Sequence, residues 1–306
     1  MAVSTRETGL ETFPLVPRAR FVGISYGPLR SARRGSGSDV AGSRPYRAGD
    51  DVDLIDWPAS ARLSSALGRD EFVVRELHAE EAPRVVVVAD RRPSLSLYPR
   101  PLPWLRKWEA LEHAVDLVTR STLAARSFPG YLDYADGDLH WRSPRGGRTA
   151  GRPRRGYAAP AGSLAAGLRH LAELRPALPV GSFLFVLSDF LEPPPQEAWF
   201  HALERGWDVV PVVIQDATWE RSFPDVAGIA VPFAHAADPR PRLVRLSRRE
   251  VAARRAANEQ RFASLLRTFE ELGVEPVVLE RHEREAVTAA FLAWADARVA
   301  ARGRGW

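Results

Sequence analysis

The sequence predicts an α/β fold: a mostly parallel sheet with helices on both faces, preceded by a small β-rich lobe. Three observations carry this reading. Two apolar runs rich in bulky residues, 84–90 (RVVVVAD) and 182–189 (SFLFVLSD), each end in an acid. That is the pattern of a buried parallel strand whose carboxyl end opens into a loop. From residue 84 onward, strand patterns alternate with helix patterns. Such alternation implies right-handed crossovers and a sheet covered on both sides.

The elements follow in order. The opening forty residues are punctuated by Pro14, Pro17, Gly23, Gly27, Pro28, Gly35 and Gly37, and read as short strands and loops. Residues 44–62 form an acidic loop around Trp57, and residues 72–78 a short strand. Residues 1–80 are therefore assigned to an N-terminal lobe and 81–306 to the sheet domain. Trp108, Leu111, Ala114, Val115, Val118 and Leu123 recur at helical spacing, which predicts a helix over 104–127. Segments 131–135 and 139–142 read as strands joined by a turn at Asp136-Gly137-Asp138. Arg142, Arg145, Arg148, Arg152, Arg154 and Arg155 then lie in a Gly/Pro-rich stretch, read as a solvated loop. Helices are predicted over 161–174, 196–205, 249–272 and 283–302, the third stopped by Gly273. Strands are predicted over 207–214 and 274–279, with 243–246 pairing 228–231. In open α/β sheets, ligands sit outside the carboxyl ends of the strands, at the topological switch point. Asp90 and Asp189 are placed at such ends and converge if their strands are neighbours.

Composition removes several function classes. The 306 residues contain no cysteine, which excludes a disulfide scaffold, a thiol nucleophile and thiolate metal sites. No apolar run approaches the roughly 18 residues of a membrane helix, and residues 1–10 carry no signal-like block. A cytoplasmic location without membrane attachment is the expectation. The net charge is +5, and Lys107 is the single lysine, so nearly all the basic charge is arginine. Nucleic-acid binding would need that charge clustered with aromatic or motif support, which the arginine loop lacks. None of the seven histidines makes an i, i+4 metal pair, and no phosphate-cradling glycine loop or nucleophile elbow occurs.

Residues 44–62 run Arg44-Pro-Tyr46-Arg-Ala-Gly49-Asp50-Asp51-Val-Asp53-Leu-Ile-Asp56-Trp57-Pro-Ala-Ser60-Ala-Arg62. With Glu80 and the strand ending at Asp90, this string resembles the domain of unknown function 58 family, from about residue 20 through most of the chain. Ser188-Asp189-Phe190 matches that family's second acidic strand, and Asp216 with Glu220 its D-x-x-E region. The resemblance implies a von Willebrand A-like (Rossmann-like) fold and genes beside MoxR-type AAA ATPases. It also implies an adaptor role in protein-complex assembly or maturation, without established catalysis. Two departures matter. Asp53 stands where the family commonly has Arg. In the metal-ion-dependent adhesion motif D-x-S-x-S, Asp90 and Ser94 match but Arg92 replaces the first serine.

Magnesium wants octahedral oxygen ligands at about 2.1 Å. Arginine offers five donors and no acceptor and stays protonated. Arg92 therefore disfavours a metal held by Asp90, Ser94 and Asp189, and suggests a degenerate site in which a guanidinium occupies the cation's place. No cofactor is expected. Asp50, Asp51, Asp53 and Asp56 are read as turn carboxylates that satisfy backbone N–H groups. Arg62 or Arg44 is expected to pair one of them, with Trp57 packed on the sheet.

The leading reading is a non-enzymatic interaction module. Its strand-end surface, Asp90, Arg91, Arg92, Ser94 and Asp189, binds a protein partner, an AAA ATPase or that ATPase's client. Arg91 or Arg92 would receive the partner's carboxylate as a bidentate pair. The alternative is a metal-dependent hydrolase or nuclease using Asp90, Asp189 and the Asp50 to Asp56 cluster, the arginine loop gripping phosphate. Non-specific RNA or DNA binding through that loop ranks last.

Overall fold

The computed structural model describes residues 12–18, 40–46, 55–77, 84–97, 105–144, 156–235 and 238–303. Gly49, Asp50, Asp51, Asp53, Glu80 and the arginines from 145 to 155 lie outside the described residues. The chain divides into two compact units, Pro17–Pro83 and a larger one comprising Met1–Val16 with Arg84–Trp306. Segment 12–16 thus belongs with the sheet domain rather than with the N-terminal lobe. The reason is aromatic packing: Phe13 is buried against Phe185, Phe291 and Trp294. Its N–H donates to Ser121 Oγ at 3.0 Å, and Arg298 donates to the Val16 carbonyl at 3.0 Å.

The smaller unit contains an antiparallel pair, β1 (Val40–Pro45) and β2 (Val73–Leu77), and one helix, α1 (Trp57–Leu67). The helix corrects the reading of 44–62 as loop throughout. Asp56 is its N-cap, accepting from the Ala59 N–H at 3.1 Å, and Pro58 sits in its first turn, where a missing N–H costs nothing. The one buried side chain in the helix is a serine, Ser60, so burial does not follow hydrophobicity there.

The larger unit follows the predicted alternation. Its strands are β3 (Arg84–Ala89), β4 (Phe128–Asp133), β5 (His140–Arg142), β6 (Phe183–Ser188) and β7 (Asp208–Ile214). A separate hairpin, β8 (Ala230–His235) and β9 (Asp238–Arg245), precedes the last sheet strand, β10 (Val277–Leu279). The helices are α2 (Lys107–Ala124), α3 (Ser163–Glu173), α4 (Gln196–Glu204), α5 (Arg248–Glu271) and α6 (Arg284–Gly303). The main sheet is mixed, in the order β10-β7-β6-β3-β4-β5, with only β5 antiparallel to its neighbour. Counted within this sheet, the order runs 3-2-1-4-5-6, a doubly wound arrangement whose switch point lies between β3 and β6.

Strand alternation sends neighbouring side chains to opposite layers. Leu184 and Val186 join Val86, Val88, Leu168, Trp199, Leu265 and Phe269 under α3, α4 and α5. Phe185 turns the other way, toward Phe291 and Trp294 of α6. Gly167 lets α3 approach the sheet closely, since a Cβ there would stand 2.7 Å from a Leu132 methyl. Among the described residues, no helix is long and apolar enough to cross a membrane.

Candidate functional site

β3 and β6 are parallel neighbours, Ala89 opposite Leu187, so their carboxyl ends deliver Asp90 and Asp189 to one place. The Asp90 N–H donates to the Leu187 carbonyl at 2.8 Å and fixes that end of the strand. Both aspartates are almost wholly buried, at 1% and 0% exposure. Buried carboxylates need compensating charge and hydrogen bonds, because desolvation otherwise costs several kcal/mol per ion.

Arg92 supplies the first compensation. Its Nε lies 3.1 and 3.0 Å from the two Asp90 oxygens, and its Nη2 lies 2.8 Å from Oδ2. The same Nη2 stands 3.6 Å from Asp189 Oδ1. Ser188 Oγ donates to Asp90 Oδ2 at 2.6 Å, and the Arg92 N–H donates to Oδ1 at 2.9 Å. The side chain at the missing-serine position therefore curls back over the carboxylate it was expected to occupy. Its outer edge, Nη1, donates to Glu192 at 3.1 Å, and that glutamate side chain is 76% exposed.

Lys107 supplies the second. It opens α2 and is buried, with Nζ 2.9 Å from Asp189 Oδ2 and 2.7 Å from Glu220 Oε1. Burial pushes the Lys107 ammonium down, but Asp189 and Glu220 outweigh it and hold it above the ordinary lysine value. Burial likewise pushes the Asp189 carboxyl up; Lys107, the Ser94 hydroxyl bonded to it, and Arg92 together hold it below the ordinary carboxylate value. Glu220 is itself placed by a turn: it accepts from the Asp216 N–H at 2.9 Å, and Asp216 accepts from the Thr218 and Trp219 N–H groups at 2.9 Å. Asp216 also accepts from the Leu105 N–H at 2.8 Å, tying that turn to the residues just ahead of α2.

Asp189 is followed by strained backbone. Phe190 adopts φ +47, in the left-handed region that a bulky residue rarely visits. Its ring is buried against Trp199 and Phe269, and its N–H donates to Ser188 Oγ at 2.9 Å, which together hold the turn.

Arg91, expected beside Arg92 as a receiver of a partner's carboxylate, points into the fold instead. Its guanidinium is 1% exposed and donates to Tyr131 Oη at 2.9 Å, Tyr157 Oη at 3.0 Å and Glu112 at 2.5 Å. Asp133 stands 3.7 Å away and accepts from Tyr131 at 2.8 Å. Burial pushes the Tyr157 phenol up to about 12, so it stays a neutral partner. Alternation explains the difference between the neighbours: successive side chains of an extended segment leave on opposite sides, and here one side is interior.

In the smaller unit, the described motif residues make local backbone contacts. Ser60 Oγ donates to the Asp56 carbonyl at 2.8 Å and accepts from the Val73 N–H at 2.9 Å, stapling α1 to β2. Arg62 donates to the Pro58 carbonyl at 3.2 Å, and three of its expected partners, Asp50, Asp51 and Asp53, lie outside the described residues. Arg44 donates to the Pro45 carbonyl at 3.1 Å. Trp57 is not packed on a sheet: it is 59% exposed and meets Phe72 edge-on at 6.1 Å, with Tyr46 on the same ring at 6.5 Å.

A divalent ion does not fit the strand-end site as it stands. The oxygens it would need on Asp90 and Asp189 already face a guanidinium and an ammonium, and the arginine has no lone pair to offer. Among the described residues, no group of three or more His, Asp or Glu side chains is arranged to hold a metal. Sequence reasoning missed the Lys107 role. The available signal was composition: a chain with 43 basic residues keeps one lysine, on the helix facing the sheet.

No curated protein matches the chain. Among solved structures, it is similar to the conserved hypothetical protein BatB from Bacteroides thetaiotaomicron, at 16% identity. That likeness covers 72% of this chain and 99% of that one, with a TM-score of 0.35. An aerotolerance-related membrane protein from Bacteroides fragilis NCTC 9343, carrying multiple mutations to serines, is 15% identical, covers 62% of this chain and 98% of its own, and has a TM-score of 0.30. A family model, protein of unknown function DUF58, matches residues 42–263, and the chain belongs to that family.

Proposed function

We propose that the protein is a non-catalytic interaction module of von Willebrand A-like architecture, in which two side-chain cations stand where related proteins place a metal ion. The observation that carries the reading is the Arg92 guanidinium seated on Asp90, 2.8 Å from Oδ2, with Nη2 3.6 Å from Asp189. Lys107 on the far oxygen of Asp189 completes the charge balance. The doubly wound strand order, with both aspartates at the switch point, supports the architecture. In an intact adhesion site, the partner's carboxylate completes the metal shell. Here Arg92 Nη1 takes that part, and the exposed Glu192 holds the place a partner's Asp or Glu would take.

The partner assigned is a MoxR-type AAA ATPase or its client, the class that the family resemblance implies. The working location assigned is the cytoplasm. Calorimetric titration with magnesium or manganese is expected to give no micromolar binding. Micromolar binding that disappears in Asp90→Ala would overturn the cation replacement. In a pull-down with a MoxR-type AAA ATPase from the same organism, Arg92→Glu is expected to abolish capture and Glu192→Gln to strengthen it. Circular dichroism would verify the fold of both variants. Capture unchanged in both would remove Arg92 from the interface.

A further inference from the structure

The β8–β9 hairpin and the start of α5 carry a charge that the strand-end site does not use. Residues 230–255 contain seven arginines against Asp238 and Glu250, a surplus of five that equals the +5 of the entire chain. Cross-strand register sorts the hairpin into two faces. Val244 and Leu246 turn inward onto Phe223 and Val251. Leu243 and Arg245, opposite Pro232 and Ala230, therefore turn outward. Leu243 is 73% exposed, and Ile229 at the hairpin's base is 58% exposed. Arg248 and Arg249 follow at once, both exposed, in the first turn of α5. Cations there oppose the helix dipole, so local stability does not account for them. The nearby acid, Glu250, is engaged in the helix cap: its carboxylate accepts from the Ser247 N–H and from Ser247 Oγ, each at 2.7 Å.

We propose that this outward face docks on an anionic lipid surface, Leu243 and Ile229 entering the headgroup layer and Arg245, Arg248 and Arg249 meeting lipid phosphates. The pairing of protruding aliphatic side chains with arginines fits an interfacial contact, in which buried apolar area and attraction to anionic lipid add. Stacking on nucleic acid would call for exposed aromatics, and the hairpin's aromatic ring, Phe233, packs face to face on Phe223 with Arg254 over it. Topology places the hairpin between the carboxyl end of β7 and the start of α5, on the same end of the sheet as Asp90 and Asp189. A membrane-docked molecule would thus hold its strand-end site near the bilayer.

The test is co-sedimentation of the full chain with vesicles of neutral phosphatidylcholine and of phosphatidylcholine containing 30% phosphatidylglycerol, at low and at high salt. Binding to the anionic vesicles alone, weakened by salt, is expected. The variant Arg245→Gln/Arg248→Gln/Arg249→Gln should lose about fivefold per arginine removed, roughly 100-fold in all. Leu243→Ser should weaken binding with the salt dependence kept, which a purely electrostatic contact would not show. All these positions are exposed, so thermal melts should verify intact folding. Equal binding to both vesicle types, no binding to either, or an unchanged triple variant would overturn the proposal. So would capture of a single-stranded oligonucleotide by the same arginines without vesicle binding, which would assign the face to nucleic acid.

Discussion

Two charged regions at the same end of the sheet obey opposite rules. At the strand ends, Arg92 meets Asp90, and Lys107 meets both Asp189 and Glu220, within hydrogen-bonding distance. On the β8–β9 hairpin and the first turn of α5, Arg245, Arg248 and Arg249 stand exposed in a stretch with two acids in twenty-six residues. Burial makes the difference. A buried charge without a partner costs several kcal/mol, so each of these carboxylates is met by a cation. An exposed arginine stays hydrated, so a surplus there costs little and is free to serve association. The same composition bias thus yields a closed, ion-paired knot in one place and an open basic face in the other.

The sharpest way to break this contrast is Lys107→Met. It leaves Asp189 and Glu220 with one cation fewer in a buried setting, and a loss of about 3–5 kcal/mol is expected in urea unfolding. A loss under 1 kcal/mol would show that the knot is not held by this charge. Arg92→Ser comes next. It removes the guanidinium and returns an oxygen to the ligand position, so added magnesium should raise the melting temperature of the variant but not of the parent protein. A variant equally indifferent to magnesium would show that Lys107 alone is enough to keep a metal out.

The pH response separates the regions further. The Asp189 carboxyl lies below its ordinary value, so its contribution is present above about pH 4 and is lost as pH falls through the folded value. The Lys107 ammonium lies above its ordinary value, so its contribution is present below about pH 10 and is lost as pH rises through the folded value. Urea midpoints should therefore be flat between those limits. Lys107→Met removes the main cause of the Asp189 lowering, so the variant should lose less of its remaining stability below about pH 4 than the parent does; identical acid limbs would contradict the coupling. The hairpin and the first turn of α5 contain neither of these two groups. The smallest effect is expected there: Arg248→Gln/Arg249→Gln should change stability by no more than about 0.5 kcal/mol. A larger loss would mean that those arginines belong to the folded network after all.

Much of the sheet was legible because its strands are extreme. Residues 84–89 and 183–188 are continuous apolar runs that suit a site buried on both faces. The long helices declared themselves by periodicity, and the end of α5 by Gly273, at φ +63 beyond it; the structure adds the capping box of Ser247 and Glu250 at its start. Helix α1 did not, because it is short and its one buried side chain is a serine, Ser60, so hydrophobic pattern and burial part company there. Nor was the exposure of Trp57 visible, since an aromatic beside a cap can pack inward or stand free.

By itself, the sequence determined the alternation of strands and helices, the placement of Asp90 and Asp189 at strand ends, and the arginine that breaks the metal motif. These follow from local pattern and residue chemistry, which act over a few positions. Only the tertiary structure decided which cations answer which carboxylates. Arg91 and Arg92 are adjacent and identical in type, yet one is stapled to Tyr131 and Glu112 and the other to Asp90. Lys107 meets Asp189 from 82 residues away and Glu220 from 113. Desolvation drives such pairings across the fold, and no spacing along the chain records them.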